Sequence, residues 1–276
     1  MLIDFHTHAF PDGLAERALA SLSRDIASPP LTDGTVSGLL SAMDAWGVDR
    51  AVICNIAAKP GQTENVNTFA IETARAHPDR LSPLGSVHPA YPDPEAELKR
   101  IRAAGLRGIK IHPDYMGVTV DDPAFDPIFG LCADLGLFIV THAGFDVYSP
   151  NRVYASPDRI LRRLERSPKT TLVAAHYGAN MMWDESEEKL AGRDLFIDAS
   201  LGDFCRLDPR QAARILGKHD PDRILFGSDC PWASSADTFR YVDALPLSDD
   251  RKEKLCHLNA ERLLGLDGKS GEAGSC

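Results

Sequence analysis

Eight apolar, β-branched stretches recur along the chain with segments of helical period between them, and this alternation restricts the fold more than any other feature. The stretches are MLIDFH, RAVICNIA, RLSPLGSVHP, LRGIKIHP, LGLFIVTHAG, TTLVAAHYG, DLFIDASLG and RILFGSDCPW. Helical segments such as DPEAELKRIRAAG, DPAFDPIFGLCADLG, SPDRILRRLERS and DPRQAARILGKHD open on Asp-Pro or Ser-Pro, a capping oxygen followed by proline at the first helical position. Continuous apolar strands alternating with amphipathic helices build a parallel sheet covered by helices. Eight such units in 276 residues predict an α/β fold, a (β/α)8 TIM barrel, as a single domain over 1–267. A doubly wound open sheet is the competing architecture, weakened because no G-x-G-x-x-G follows the first strand. The longest connection, residues 9–34, would lie over the catalytic face of a barrel as a lid. The small, polar residues 268–276 read as a disordered tail.

With 43% hydrophobic and 25% charged residues the chain reads as soluble and globular, and no apolar run reaches bilayer length. The N-terminus enters LIDFHTH without a basic leader region, so a cytoplasmic location is expected, with no membrane partner. Six cysteines without C-x-x-C spacing argue against a zinc finger and a disulfide framework, and reduced thiols are expected. A net charge of −10 with no basic cluster disfavours nucleic acid as a partner. A small-molecule substrate and a possible homodimer are the expected associations.

The carboxyl ends of barrel strands surround one pocket, so side chains distant in sequence meet there. On a regular strand His6 and His8 share a face while Phe5 and Thr7 take the other, which lets both imidazoles reach one ion. An H-x-H pair also occurs as surface histidines, and the rest of the rim decides between the readings. The third stretch ends with His88, the fourth with Lys110 and His112, the fifth with His142, the sixth with His176 and the eighth with Asp229. Six of the nine histidines therefore fall at strand ends, which favours metal binding; His77 and His219 read as helix C-terminal residues that complement the dipole. An Asp after a strand also caps helices, but Cys-Pro-Trp after Asp229 is a poor helix start, so a ligand role is favoured. For His176 the alternative is a histidine that merely satisfies backbone groups.

Taken in order, DFHTH, THAG, AHYG, GSDCPW and the closing NAERLLGL resemble the amidohydrolase superfamily over nearly the whole chain. The likeness is to the amidohydrolase 2 group, which includes aminocarboxymuconate semialdehyde decarboxylase and related hydrolases. The resemblance implies that His6, His8, His142 and Asp229 bind a divalent metal and that Asp229 and His176 are catalytic, His176 holding the attacking water or the substrate. Zinc is the expected ion, with manganese the alternative. Three imidazoles and a carboxylate leave room for a water, whose pKa such an ion lowers towards about 7, and Asp229 can accept the proton released on attack. PHP phosphoesterases share the opening motif but typically carry a histidine where this chain has Pro231, and TatD-like nucleases use a glutamate that GIKIHP does not offer. Lys110 is similar in placement to the carboxylated lysine of dihydroorotases. That raises a second metal or substrate site at Lys110, His112 and His176, although one ion is favoured over two.

The reading that follows is a metal-dependent hydrolase of a small amide, lactam, lactone or ester. The alternatives are a non-oxidative decarboxylase of a small unsaturated or aromatic acid, and a non-enzymatic metal-binding barrel. A decarboxylase needs a cation for the carboxylate, for which Arg152 and Arg206 are candidates. Asn55, His88, Tyr115, Tyr154, Trp183, Asp203 and Trp232 follow strand ends as candidate substrate contacts, with loop packing the competing role for the aromatics.

Overall fold

The computed structural model describes residues 1–23, 26 and 28–266; the expected tail 268–276 and lid positions 24, 25 and 27 lie outside the described residues. Among the described residues the strands are β1 (Ile3–Thr7), β2 (Arg50–Ile53), β3 (Gly108–Ile111), β4 (Phe138–Thr141), β5 (Leu172–Ala174), β6 (Phe196–Asp198) and β7 (Ile224–Leu225). Every pairing among them is parallel, β1 with β2 and β3 through β7 in sequence order. The third stretch is not a regular strand. Pro83 has no N–H to give to a ladder, and residues 81–85 make isolated parallel bridges instead, Leu81 to Ala51 and Gly85 to Ile109. The ring closes where the Phe5 N–H donates to the Phe226 carbonyl at 2.8 Å, Asp229 N–H to the His6 carbonyl at 2.8 Å and His8 N–H to the Cys230 carbonyl at 2.7 Å. The fold is therefore the expected barrel, and an open sheet is excluded.

Helices Val36–Trp46, Thr63–Ala76, Pro94–Ala103, Asp126–Leu135, Pro157–Arg166, Pro209–Lys218 and Ser235–Asp243 cover the outside. Asp93 and Asp208 cap their helices as the sequence predicts, accepting from Ala96 N and from Arg210 and Gln211 N. Ala51, Ile53, Ile109, Ile111, Ile139, Ala174, Ile197 and Ile224 meet these helices in one buried cluster. A second cluster fills the barrel: Ile3, Phe5, Val52, Cys54, Leu84, Phe138, Val140, Val173, Phe196 and Leu225. Lys110 shares that inner face through its register with Val140. One step below it Gly108 leaves room for the Phe138 ring, which a Cβ would meet at 2.5 Å.

Strand β1 departs from simple alternation. Asp4 is registered with Ala51 and Thr7 with Ile53, so three steps on β1 answer two on β2. Phe5 joins the inner cluster, and the extra residue lets His6 turn inward as well, where an unbroken alternation would send it to the helices with Asp4. The His6 N–H donates to Asp4 Oδ1 at 3.1 Å. The same carboxylate, fully buried, accepts from Ser228 N at 3.0 Å and from the Ser228 and Ser235 hydroxyls at 2.6 Å each. Asp4 thus ties β1 to the segment after β7 that carries Asp229. Asp4→Ala leaves these donors buried without an acceptor and is expected to cost about 3 kcal/mol of stability. Urea unfolding measures it, and a loss below about 1 kcal/mol would show that Asp4 is not this anchor.

Candidate active site

The hydrogen bonds at the carboxyl end of the barrel fix where each imidazole carries its proton. Asp198, on β6, is fully buried. Burial raises its carboxyl, but the hydrogen bonds from His6 and the Ser200 hydroxyl outweigh burial and hold it ionised, well below the usual range. A carboxylate only accepts, so His6 Nδ1 donates to Asp198 Oδ2 at 2.9 Å and the Ser200 hydroxyl donates to Asp198 Oδ1. His6 Nε2 is left with a lone pair, which accepts from Lys110 Nζ at 3.0 Å. Ser200 Oγ, its proton committed, accepts from His176 Nδ1 at 2.7 Å, and His176 Nε2 accepts from His142 Nδ1 at 3.1 Å. Burial pushes His176 down to about 3 and His142 well below its ordinary value, so both rings are neutral. The chain ends at His142 Nε2, a buried lone pair with no hydrogen-bond partner.

Asp229 Oδ1 stands 3.2 Å from His6 Nε2 and 3.0 Å from His8 Nε2. Burial raises the Asp229 carboxyl, but its imidazole neighbours, His8 among them through a hydrogen bond, more than reverse this, so it is ionised. His6 Nε2 and Asp229 Oδ1 are then both acceptors, a pairing that needs a positive centre beside it, which Lys110 Nζ supplies at 3.0 Å from His6 Nε2 and which an ion could supply in its place. The ligand atoms of His6, His8 and Asp229 all lie within 4.8 Å of one another. Two imidazoles and a carboxylate suit a zinc- or manganese-type ion, and Asp198 on His6 Nδ1 supplies the outer hydrogen bond that orients a metal-binding imidazole. These residues fit a divalent metal.

Two of the site residues occupy left-handed backbone conformations, His176 at φ 61° and Asp229 at φ 74°. Each costs on the order of 1 kcal/mol for a non-glycine residue. They are held there by His176 N–H donating to Asp198 Oδ1 at 3.0 Å and Asp229 N–H donating to the His6 carbonyl. Barrel closure and the Asp198 carboxylate therefore aim both side chains into the pocket.

Above the polar floor opens a cavity of about 1060 Å3. Its wall is largely apolar: Phe10, Leu14, Val66, Phe69, Phe204 and Trp232. The expected lid contributes Phe10, Leu14, Arg17 and Leu22, the last three from the helix Asp12–Leu22.

Of the residues expected from sequence, His6, His8, Asn55, Lys110, His112, Tyr115, His142, His176, Arg206, Asp229 and Trp232 line this cavity. His142 is not brought into the group formed by His6, His8 and Asp229; it faces His176 with one nitrogen and Asp146 with the other, 3.7 Å away. His88, Arg152, Tyr154, Trp183 and Asp203 do not line the cavity. His88 accepts from Ala90 N, the Arg152 guanidinium lies 4.5 Å over the Tyr154 ring, and Asp203 accepts from the Thr238 hydroxyl. Sequence reasoning missed Asp198, Ser200 and Asp146. For the first two a signal existed, since D-x-S at the end of a barrel strand places both side chains on the inner face.

The chain belongs to the amidohydrolase family Amidohydro_2, which it matches over residues 3–266. No curated protein matches it. Among solved structures it is similar to 5-carboxyvanillate decarboxylase LigW from Sphingomonas paucimobilis, at 20% identity and TM-score 0.73, covering 96% of this chain and 98% of that one. It also resembles 2,6-dihydroxybenzoate decarboxylase from Rhizobium, at 17% identity and TM-score 0.70, covering 97% and 99%. A third relative in fold is 5-carboxyvanillate decarboxylase from Novosphingobium aromaticivorans, complexed with manganese and 4-hydroxy-3-methoxy-5-nitrobenzoic acid, at 19% identity and TM-score 0.73, covering 96% of each chain. No helix among the described residues is long and apolar enough to cross a membrane, and the five cysteines among them are free thiols.

Replacing the carboxylate behind His6 tests the proton assignments. Asp198→Asn is expected to weaken manganese binding about 10- to 100-fold. Competition against a chelator of known affinity measures this, and an unchanged affinity would remove Asp198 from the metal centre.

Proposed function

We propose that the chain is a metal-dependent, non-oxidative decarboxylase of a small aromatic or unsaturated carboxylic acid. The observation that carries this reading is the cavity itself, an apolar, aromatic-lined wall over a floor of Asp229, Lys110 and imidazoles. A planar acid fits between such walls. A carboxylate pressed against them loses the hydration that stabilises it, which favours its departure as uncharged CO2. The likeness in fold to decarboxylases of 5-carboxyvanillate and 2,6-dihydroxybenzoate supports the same reading and points to a ring hydroxyl beside the carboxylate. Arg17 and Arg206 on the cavity wall attract an anionic substrate.

A divalent ion held by His6, His8 and Asp229 would supply a Lewis acid that polarises a substrate oxygen. The chain's own residues manage the proton. Ionised Asp229 takes the proton of the ring hydroxyl as the substrate binds and returns it to the ring carbon that bears the carboxylate. The carbon–carboxylate bond then breaks, its electron pair returns to the ring, and CO2 leaves; the oxygen left without its proton regains one from solvent. Neutral His176, locked by Ser200 on one side and His142 on the other, keeps its ring fixed beside His6, with ring centroids 4.9 Å apart. Lys110 Nζ, 1% exposed and 3.0 Å from His6 Nε2, gives up that acceptor when an ion takes it and is then free to donate to an anionic oxygen of the substrate.

Hydrolysis of an amide, lactam, lactone or ester, the first expectation from the motifs, calls for water beside a scissile carbonyl, and the apolar wall supports it less. Manganese-loaded protein offered a panel of hydroxybenzoates, unsaturated acids, lactones and amides separates the chemistries by mass. Release of CO2 from an acid is expected; addition of water to lactones or amides, with no CO2 from any acid, would replace this reading with hydrolysis. Asp229→Asn is expected to lower kcat by about 10³-fold, because it removes the proton carrier and a ligand charge together. Turnover within about tenfold of the unsubstituted chain would leave the proposed proton path without its carrier.

A further inference from the structure

We propose that Asn55 determines which substrate the cavity accepts, its carboxamide pairing with a neutral, hydroxyl-type substituent of the bound acid. Asn55 follows β2, lines the cavity and is 6% exposed. Neither its Nδ2 nor its Oδ1 has a hydrogen-bond partner among the described residues. A carboxamide carries two N–H donors and an acceptor, and burying them unmet is unfavourable. Asn67, on the helix Thr63–Ala76, shows the contrast. Its Oδ1 accepts from Ser86 N at 2.7 Å, and its Nδ2 donates to the Ser86 carbonyl at 3.0 Å and to Glu97 Oε1 at 2.6 Å. The backbone on either side of Asn55 is pinned: the Cys54 N–H donates to the Thr7 carbonyl at 2.7 Å and the Ala57 N–H to Ser86 Oγ at 2.9 Å, while Ser86 Oγ donates to the Lys110 carbonyl at 2.7 Å. The carboxamide is thus fixed in the cavity wall while its polar end is uncommitted. A group presented in this way is preorganised for a ligand, and a site built to hydrogen-bond a hydroxyl rejects the analogue that lacks it.

The place and the chemistry of the ligand group follow from the neighbours. β2 pairs with one edge of β1, with Ile53 registered to Thr7, and the segment that carries Asp229 and Cys230 pairs with the other edge. Asn55 therefore stands on the side of His8 away from Asp229, next to the reacting groups and apart from them. The segment 54–69 gives the cavity the amides Asn55, Gln62 and Asn65 beside the apolar Ile56, Val66 and Phe69. The lining residues of this segment include no cation to hold a second carboxylate. A hydroxyl, donor and acceptor at once, satisfies the Asn55 carboxamide without one.

The substrate class rests on the decarboxylase reading, the uncommitted carboxamide does not, and two measurements keep them apart. In urea unfolding of the ligand-free protein, Asn55→Leu, similar in branching and without polar atoms, is expected to raise the midpoint, and Asn55→Ala to leave it no lower. A fall in both variants means that the carboxamide serves the fold, and overturns the proposal. Circular dichroism establishes that both variants are folded. In calorimetric titrations of manganese-supplied protein, the best of 2,3-, 2,4-, 2,5- and 2,6-dihydroxybenzoate is expected to bind about tenfold more tightly than 2-hydroxybenzoate, and this preference is expected to vanish in both variants. No preference in the unsubstituted protein, or a preference that persists in both variants, overturns the assignment of Asn55, while CO2 release by the unsubstituted protein reads the reaction separately. Binding of none of these acids overturns the substrate class.

Discussion

One buried carboxylate sets the electrical layout of the pocket. Because Asp198 is ionised and can only accept, the proton on His6 must sit at Nδ1, the Ser200 hydroxyl must point towards Asp198, and His176 and His142 must follow with their own Nδ1 protons. The direction of every bond in the series is thereby fixed from one end. Its result is a pair of unprotonated nitrogens, His6 Nε2 and His142 Nε2, each next to a separate aspartate. An amide at position 198 could donate as well as accept, and the series would lose its direction.

The second constraint is covalent and lies in β1. Strand alternation was the reason to read His6 and His8 as partners, and they do converge on Asp229, but β1 reaches that arrangement only by gaining a residue against β2. Phe5 packs inside the barrel against Phe138, with ring centroids 5.6 Å apart, and the extra residue lets its neighbour His6 turn inward as well. The amide of His6 is released from the ladder and taken by Asp4, so the first acidic residue of the chain shapes the strand while the last one on the rim, Asp229, meets the two imidazoles.

The fold was largely legible in the sequence because strand and helix periods and Asp-Pro caps are local signals, and they placed Asp93 and Asp208 at helix starts where the structure has them. The third strand was less so, since whether Pro83 and Gly85 interrupt a ladder depends on which neighbours are present. At the site, residue type and strand-end position pointed to His6, His8, His176 and Asp229, all of which line the cavity. They could not tell which way a side chain turns after the strand ends, and this sends Arg152 onto Tyr154 and Asp203 onto Thr238 instead of into the cavity. Asp146 lies in the loop beyond β4, and only the path of that loop brings its carboxylate back over His112 and His142. Asp198 and Ser200 were visible but carry no metal-ligand signature, because their work is done through other side chains.

The cavity wall and the cavity floor come from different parts of the chain. The floor is distributed over β1, β3 and the segments that follow β4, β5 and β7, so any change there is felt by the whole ring of hydrogen bonds. Much of the wall comes from one continuous connection, in which Phe10, Leu14, Arg17 and Leu22 sit between β1 and β2. The shape seen by an entering molecule can therefore be exchanged as a cassette, by altering a single insertion while the reactive groups keep their positions. In a barrel organised this way, the range of molecules accepted is inherited separately from the reaction performed on them.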